Sequence, residues 1–323
     1  MESTDVWLLT LGGLSAVIIF DLILAVLRRN KETSMTEAGI WTVIYVSAAL
    51  VFGYFLPNWT TGENAQKEFD LLVEKLKFNG INVLVFDDDL KYETTDAVFP
   101  NNWISFHSNY RIAIYPMYAN NRRLERNDKI LKFIESKGVK IDFINDYSEA
   151  ENHNLFLEGT GSMVLDRLNK KSYCSLSERT SESLVEEFCD EFNYMPIIFK
   201  SYQSIDKERK LIYHTNVMMC IANNYSIICL DSIDSLIDKQ IVLKSLEDDN
   251  KEIIEISEIQ LNSFAGNMIE LLYKNISFLV MSSQAYKSLS KLQIQKIEKF
   301  SKIIQSNVET IENCGGGSVR CMI

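Results

Sequence analysis

The sequence predicts an α/β protein made of a ring of ββαβ repeats, preceded by two apolar segments long enough to cross a membrane. Three observations predict it. Long apolar runs dominate residues 1–65. From Gln66 onward, Val- and Ile-rich runs of about five to seven residues alternate with amphipathic segments. That alternation recurs with a period of about 50 to 60 residues, the mark of a radial or stacked repeat.

The front of the chain comes first. Val6 to Leu27 is interrupted only by Thr10, Ser15, Asp21 and two glycines, and Gly39 to Trp59 carries no charge. Each run is long enough to span a bilayer, so the expected spans are 6–27 and 39–59. Arg28, Arg29 and Lys31 lie between them and predict a cytoplasmic loop. The expectation is a membrane segment, 1–65, followed by a catalytic domain, 66–323, with membrane contact through residues 6–59.

The repeats follow. A helix is predicted at 66–78 and a strand at 81–86, and the two strands that should precede them are replaced by the membrane-like segment. Four fuller units come next. WISFHS and RIAIYPM precede a helix near 121–137 and a strand near 139–144. SMVLDR and KSYCSL precede a helix near 181–192 and a strand at 196–200. NVMMCIA and YSIICL precede a helix near 235–247 and a strand at 252–256. NMIELL and SFLVMS precede a helix near 290–302 and a strand at 303–306. Helices outside apolar strands give an α/β propeller-like ring whose first repeat is incomplete.

Bulk composition narrows the function. A net charge of −11 and only 33 Lys and Arg argue against nucleic acid as a partner. The six cysteines form no CxxC pair, and three histidines supply no zinc spacing, so no metal or cofactor is expected. Cys174, Cys189, Cys220 and Cys229 sit in apolar runs and read as buried thiols. GTGS and GGGS lack the context of phosphate loops.

Polar residues recur at one place in each unit, at or before its first strand. The motifs are DAVFPNN (96–102), FLEGTGS (156–162), HTN (214–216), FAGN (264–267) and GGGSVRC (315–321). A ring points these starts at one end, gathering Asp96, Glu158, His214, Asn216, Asn267 and Cys321 around one pocket. Taken singly, Cys321 is an ordinary thiol, His214 a core or surface histidine, and Asp96 and Glu158 turn residues. Together they form a cysteine hydrolase site. A thiolate attacks a carbon bearing several nitrogens, an imidazole moves protons, and carboxylates and amides hold the substrate N–H groups.

These motifs carry a family resemblance. DAVFPNNWISFHS (96–108), NRRLER (121–126), FLEGTGSMVLDR (156–167), LSERT (176–180), IYHTNVMMC (212–220), FAGNM (264–268) and ETIENCGGGSVRCM (309–322) resemble the citrulline-utilisation hydrolase branch of the amidinotransferase (pentein) superfamily, over about residues 68–323. The resemblance implies a pseudo-fivefold ring of ββαβ units. It implies Cys321 as nucleophile, His214 as general acid/base, and Asp96 and Glu158 as carboxylates holding substrate nitrogens. It implies Arg179 as partner of a substrate carboxylate, and Asn102, Asn216 and Asn267 as substrate-binding amides. Arg122 and Arg123 have an alternative as surface arginines.

Guanidine-acting relatives often carry HxD where this chain has His214-Thr215-Asn216, which favours a neutral ureido substrate. The expected reaction is hydrolysis of citrulline to ornithine through a Cys321 adduct, without cofactor, in a domain the resemblance puts in the cytoplasm. The family's first two strands and the strand after the cysteine are expected to be missing here. The alternative is therefore a catalytically impaired, membrane-anchored fusion protein that keeps the pocket. DLILAVLRR (21–29), SMTEAGIWTVIYVSAALVFG (34–53) and GENAQKEF (62–69) resemble the start of the tellurium-resistance (TerC-like) membrane family.

Overall fold

Four copies of one strand pattern organise the domain. A computed structural model describes residues 61–88 and 94–323. The chain divides into two compact units, Met1–Asp70 and Leu71–Ile323. Helix α1 runs Thr61–Phe78. The first repeat comprises β1 (Ile104–His107), β2 (Arg111–Ile114), α2 (Asp128–Ser136) and β3 (Phe143–Asp146). The second comprises β4 (Met163–Asp166), β5 (Lys171–Ser175), α3 (Glu182–Phe192) and β6 (Met195–Phe199). A hairpin of β7 (Tyr202–Ile205) and β8 (Glu208–Leu211) intervenes. The third holds β9 (Met219–Ile221), β10 (Tyr225–Ile228), α4 (Leu236–Asp248) and β11 (Glu252–Glu255). The fourth holds β12 (Ile269–Tyr273), β13 (Ile276–Ser282), α5 (Lys291–Glu298) and β14 (Lys302–Ser306).

Each repeat forms its own three-stranded sheet, with the second strand in the middle. The first strand pairs antiparallel through a tight turn, and the third pairs parallel after the helix crosses over. Lys274 and Asn275 both have positive φ, 46° and 64°, which gives the β12–β13 turn the twist of its strands. Serines start the later helices: the Ser235 side chain accepts from Asp238 N, and Ser290 forms a capping box with Gln293. The central strands are apolar on both faces because helices and neighbouring sheets cover them. Tyr173, Tyr225, Met218 and Met219 lie in the largest buried cluster, and Phe188, Val185 and Tyr115 lie in a second.

The first strands stand side by side: β4 packs against β9, and β9 against β12. The pattern of an α/β repeat is therefore present four times. A closed barrel or propeller is not found among the described residues.

Several expectations need correction. The segment 81–88 contains no ladder strand; it has no strand partner among the described residues to pair with. The helix expected at 121–137 splits into a 3-10 turn, Asn121–Glu125, and α2. Arg122 and Glu125 are buried in that turn, and Asn127 then caps α2 by accepting from Lys129 N. The β7–β8 hairpin was not expected. Its strand residues carry mostly polar side chains, so no apolar run announces it.

The expected membrane localisation is also corrected. Among the described residues no helix is long and apolar enough to cross a membrane; α1 is amphipathic and carries Glu63, Lys67, Glu68 and Asp70. The spans expected at 6–27 and 39–59 lie outside the described residues, so a membrane placement has no structural support.

Candidate active site

Four of the polar motifs converge because each ends at or just before a first strand, β1, β4, β9 or β12; the fifth, 315–321, has no strand after it among the described residues. Single helical turns at Gly159–Ser162 and Thr215–Met218 lead into β4 and β9, and a 3-10 turn at Pro100–Asn102 precedes β1. These turns pack on one another. Thr215 ties two of them, donating its hydroxyl to Ser162 O at 2.6 Å and accepting from Ser175 N at 2.7 Å.

Two close backbone approaches demand glycine. A Cβ at Gly161 would sit 2.3 Å from Asn102 Nδ2 and 3.0 Å from His214 Nδ1. A Cβ at Gly266 would sit 2.3 Å from Val217 O. Both glycines let neighbouring turns crowd the site.

Glu158 and His214 form its centre. Both are buried, and His214 Nε2 lies 2.7 Å from Glu158 Oε2. Glu158 Oε1 accepts from Tyr118 N at 2.9 Å, and Arg179 Nη1 reaches Oε2 at 3.3 Å. Burial works against the charged form of Glu158. The His214 contact, the Arg179 guanidinium and the Tyr118 N–H outweigh it and hold the carboxyl down to about 2. Burial, helped by the nearby Arg179 and Arg122 charges, holds His214 below its ordinary value against the pull of Glu158. The imidazole is therefore neutral at neutral pH. Its Nε2 carries the proton, because a carboxylate only accepts, and Nδ1 carries the lone pair.

Cys321 is buried at 5% exposure. Asn216 Nδ2 lies 3.3 Å from its Sγ, and Asn267 Nδ2 lies 3.2 Å from it. Asn267 Nδ2 also donates to Asn216 O at 3.1 Å. A carbonyl only accepts, so this contact fixes which end of the Asn267 amide faces the sulfur. Two N–H groups aimed at one sulfur suit a sulfur that carries negative charge. The two amide oxygens, Asn216 Oδ1 and Asn267 Oδ1, are buried without a hydrogen-bond partner. Such groups are costly unless something with an N–H or O–H fills the space beside them.

Seven of the eight sequence-derived site residues thus fall into two hydrogen-bonded groups, Glu158 with His214, Arg179 and Asn102, and Cys321 with Asn216 and Asn267; the chain stretch His214–Asn216 connects them. Asn102 enters through Arg122: it accepts from Arg122 Nη1 at 2.8 Å and places its own Nδ2 3.5 Å from Glu158 O. Asp96 stands apart. Its backbone carbonyl accepts from Phe99 N and Arg122 Nη2, while its half-buried carboxylate makes no hydrogen bond among the described residues.

Arg122 is not a surface arginine. It is 4% exposed, forks onto Glu125 at 2.8 and 3.0 Å, and ties down Phe99 O. Arg123 binds Met117 O at 3.0 Å and Glu151 at 3.3 Å. Tyr213 was missed by the sequence reading. Its ring lies 5.2 Å from the Arg179 guanidinium, and its hydroxyl donates to Gly316 O at 2.6 Å, fastening the Cys321 loop to the His214 segment. Its place beside His214 in the sequence was the only available signal. Among the other buried thiols, burial pushes Cys189 and Cys220 up to about 11.

A family model described as eukaryotic N,N-dimethylarginine dimethylhydrolase matches residues 56–323. The chain belongs to that family. Searching the curated proteins gave no match. Among solved structures, the apo form of ArgZ, an arginine dihydrolase from cyanobacteria, is similar at TM-score 0.61 and 15% identity, over 80% of this chain and 37% of that one. This chain thus spans about a third of full-length ArgZ. The substrate-bound N-terminal domain of ArgZ is similar at TM-score 0.61 and 16% identity, over 80% and 85%. A dimethylarginine dimethylaminohydrolase adduct is similar at TM-score 0.56 and 13% identity, over 80% and 89%. At these identities the likeness establishes the fold, an α/β fold of the pentein type. The family model begins at residue 56, and most of the stretch resembling the TerC-like family lies outside the described residues.

Proposed function

We propose that residues 66–323 form a cysteine-dependent hydrolase of C–N bonds in a ureido or guanidino amino acid, with citrulline as substrate. The observation that carries this reading is the buried Glu158–His214 couple, with His214 two residues along the chain from Asn216, one of the two amides on Cys321. Cys321 attacks the ureido carbon as its thiol proton passes to His214 Nδ1, and the C–N bond to the departing amine breaks as His214 returns that proton to the amine; Glu158 stabilises the imidazolium in between. Water then hydrolyses the thio-adduct. In sum, citrulline and one water give ornithine, ammonia and carbon dioxide.

The choice of a neutral substrate rests on the acceptors nearest the sulfur. These are the unpartnered oxygens of Asn216 and Asn267, which are amides. The carboxylate of Glu158 is already engaged by His214 and Arg179. A ureido N–H needs only a neutral acceptor of the kind the two amides offer, whereas a cationic guanidinium would have Asp96 as the one unengaged carboxylate among the described site residues. Asp96 and Asn102 are assigned to the substrate nitrogens. Arg179 is assigned to the substrate carboxylate, since its other guanidinium nitrogens make no hydrogen bond to the described residues.

A second reading has one observation in its favour: the family model is named for dimethylarginine. Measuring kcat/KM for citrulline, arginine and dimethylarginine separates the two. Asn216→Asp should move preference towards the guanidines; an unchanged citrulline-to-arginine ratio would sink the ureido assignment.

A further inference from the structure

The proton carrier and the thiol sit in separate hydrogen-bonded groups, and no hydrogen bond among the described residues joins His214 to Cys321 directly. Their spacing is set by the chain stretch 214–216 and by any further tie between the two segments. Tyr213 makes such a tie. Its hydroxyl donates to Gly316 O at 2.6 Å. Gly316 follows the helical segment Glu309–Gly315 with φ 69°, and the chain runs from it through Ser318 to Cys321. A carbonyl at a helix end lacks an intrahelical partner, and the phenol supplies one where the nucleophile loop leaves the helix.

Tyr213 is itself held from the other side. Its backbone carbonyl accepts from Ser177 Oγ at 2.7 Å, and Ser177 Oγ accepts from Arg179 N at 3.1 Å. Its ring centre lies 5.2 Å from the Arg179 guanidinium and 4.9 Å from the centre of the His214 imidazole. One side chain thus adjoins the arginine assigned to the substrate carboxylate, the general acid/base and the loop of the nucleophile. The phenol keeps the proton it donates: burial, and then the charge of Cys321, push it up to about 12.

We propose that Tyr213 is a positioning residue for the hydrolysis: through Gly316 O it holds the Cys321 loop in register with His214, so that the thiol and Nδ1 meet the same substrate carbon and leaving nitrogen. This rests on the hydrolase reading above. A hydroxyl that acts through the loop alters turnover, whereas a side chain that acts on bound substrate alters KM.

Tyr213→Phe in the full chain tests this, because it keeps the ring beside Arg179 and His214 and removes only the hydroxyl. With citrulline, arginine and dimethylarginine as substrates, kcat should fall about tenfold or more while KM stays within about twofold. Arg179→Lys should show the reverse weighting, with the larger change in KM. Hydrogen exchange followed by mass spectrometry should find the 315–321 backbone exchanging about fivefold faster in Tyr213→Phe, with the strands unchanged. Ser177→Ala, which releases the Tyr213 carbonyl instead, should lower kcat in the same sense; if circular dichroism shows Tyr213→Phe unfolded, a wild-type kcat in Ser177→Ala overturns the proposal. It is also overturned if Tyr213→Phe, folded, keeps wild-type kcat, if its loss falls on KM alone, or if 315–321 exchanges at the wild-type rate. If the wild type turns over none of the three substrates, the hydrolase reading fails, and the exchange of 315–321 still decides whether Tyr213 holds the loop.

Discussion

Replacing Glu158 with Gln tests the centre of the site through stability and activity together. The carboxyl is fully buried and titrates near 2 against an ordinary 4.5. A group held that far down contributes about 3 kcal/mol at neutral pH. The sign follows from the protons. As pH falls below 4.5 the unfolded chain takes up the proton first, so the contribution is present above that value and is lost as pH approaches 2. About 2 kcal/mol of it should be gone between pH 7 and pH 3. Losing Glu158 also removes the group that raises His214, so the imidazole's own acid-side loss grows and offsets part of the difference. Urea unfolding should therefore find Glu158→Gln about 3 kcal/mol less stable at pH 7, with a decline from pH 7 to pH 3 smaller than wild type by less than about 2 kcal/mol. Hydrolysis should fall by about 10²–10⁴ because the imidazolium loses its partner. Equal losses at the two pH values would show that the site does not hold Glu158 ionised, and the proton-transfer role would go with it.

Other side chains give sharper single outcomes. Cys321→Ala should abolish hydrolysis and adduct formation by mass spectrometry; the comparison belongs in a Cys314→Ser background, because Cys314 is exposed and will react with alkylating reagents on its own. Gly161→Ala should cost about 10²-fold or more in kcat/KM by pushing Asn102 or His214 aside, with a smaller change in urea midpoint. Lys251→Met should destabilise by about 3–5 kcal/mol, since it strands the buried Asp166 carboxylate; adding Asp166→Asn should recover part of that loss in the same unfolding assay.

Much of this fold was legible in the strands and little of it in the connections. Runs such as YSIICL and SFLVMS are apolar because β10 and β13 are the middle strands of their sheets, flanked on both edges and covered on both faces. The helix near 121–137 misled because its apolar spacing belongs to α2 alone, while the preceding turn buries Arg122 and Glu125 as a mutually satisfied pair. A buried ion pair looks like exposed polarity until its partner is known. The β7–β8 hairpin escaped for the opposite reason: it is largely exposed, so no burial pattern was imposed on it.

The site was legible as a set of residues and not as a hierarchy among them. Repeat position identified Glu158, His214, Asn216, Asn267 and Cys321 because each lies at or before the start of a first strand, or in the matching closing motif. It treated Asp96 and Glu158 as equivalent carboxylates, and they are not. Glu158 is fully buried and engaged by His214, Arg179 and the Tyr118 N–H, while Asp96 is half-buried and its carboxylate makes no hydrogen bond to the described residues. It likewise treated Asn267 as a substrate contact, although its amide N–H groups are spent on Cys321 and Asn216, leaving only its oxygen to offer. The thiol that looked ordinary in sequence is set apart by those two amides: the four other buried cysteines lie in the cores of the repeats, while Cys321 alone among them meets an amide pair whose free oxygens still require a donor.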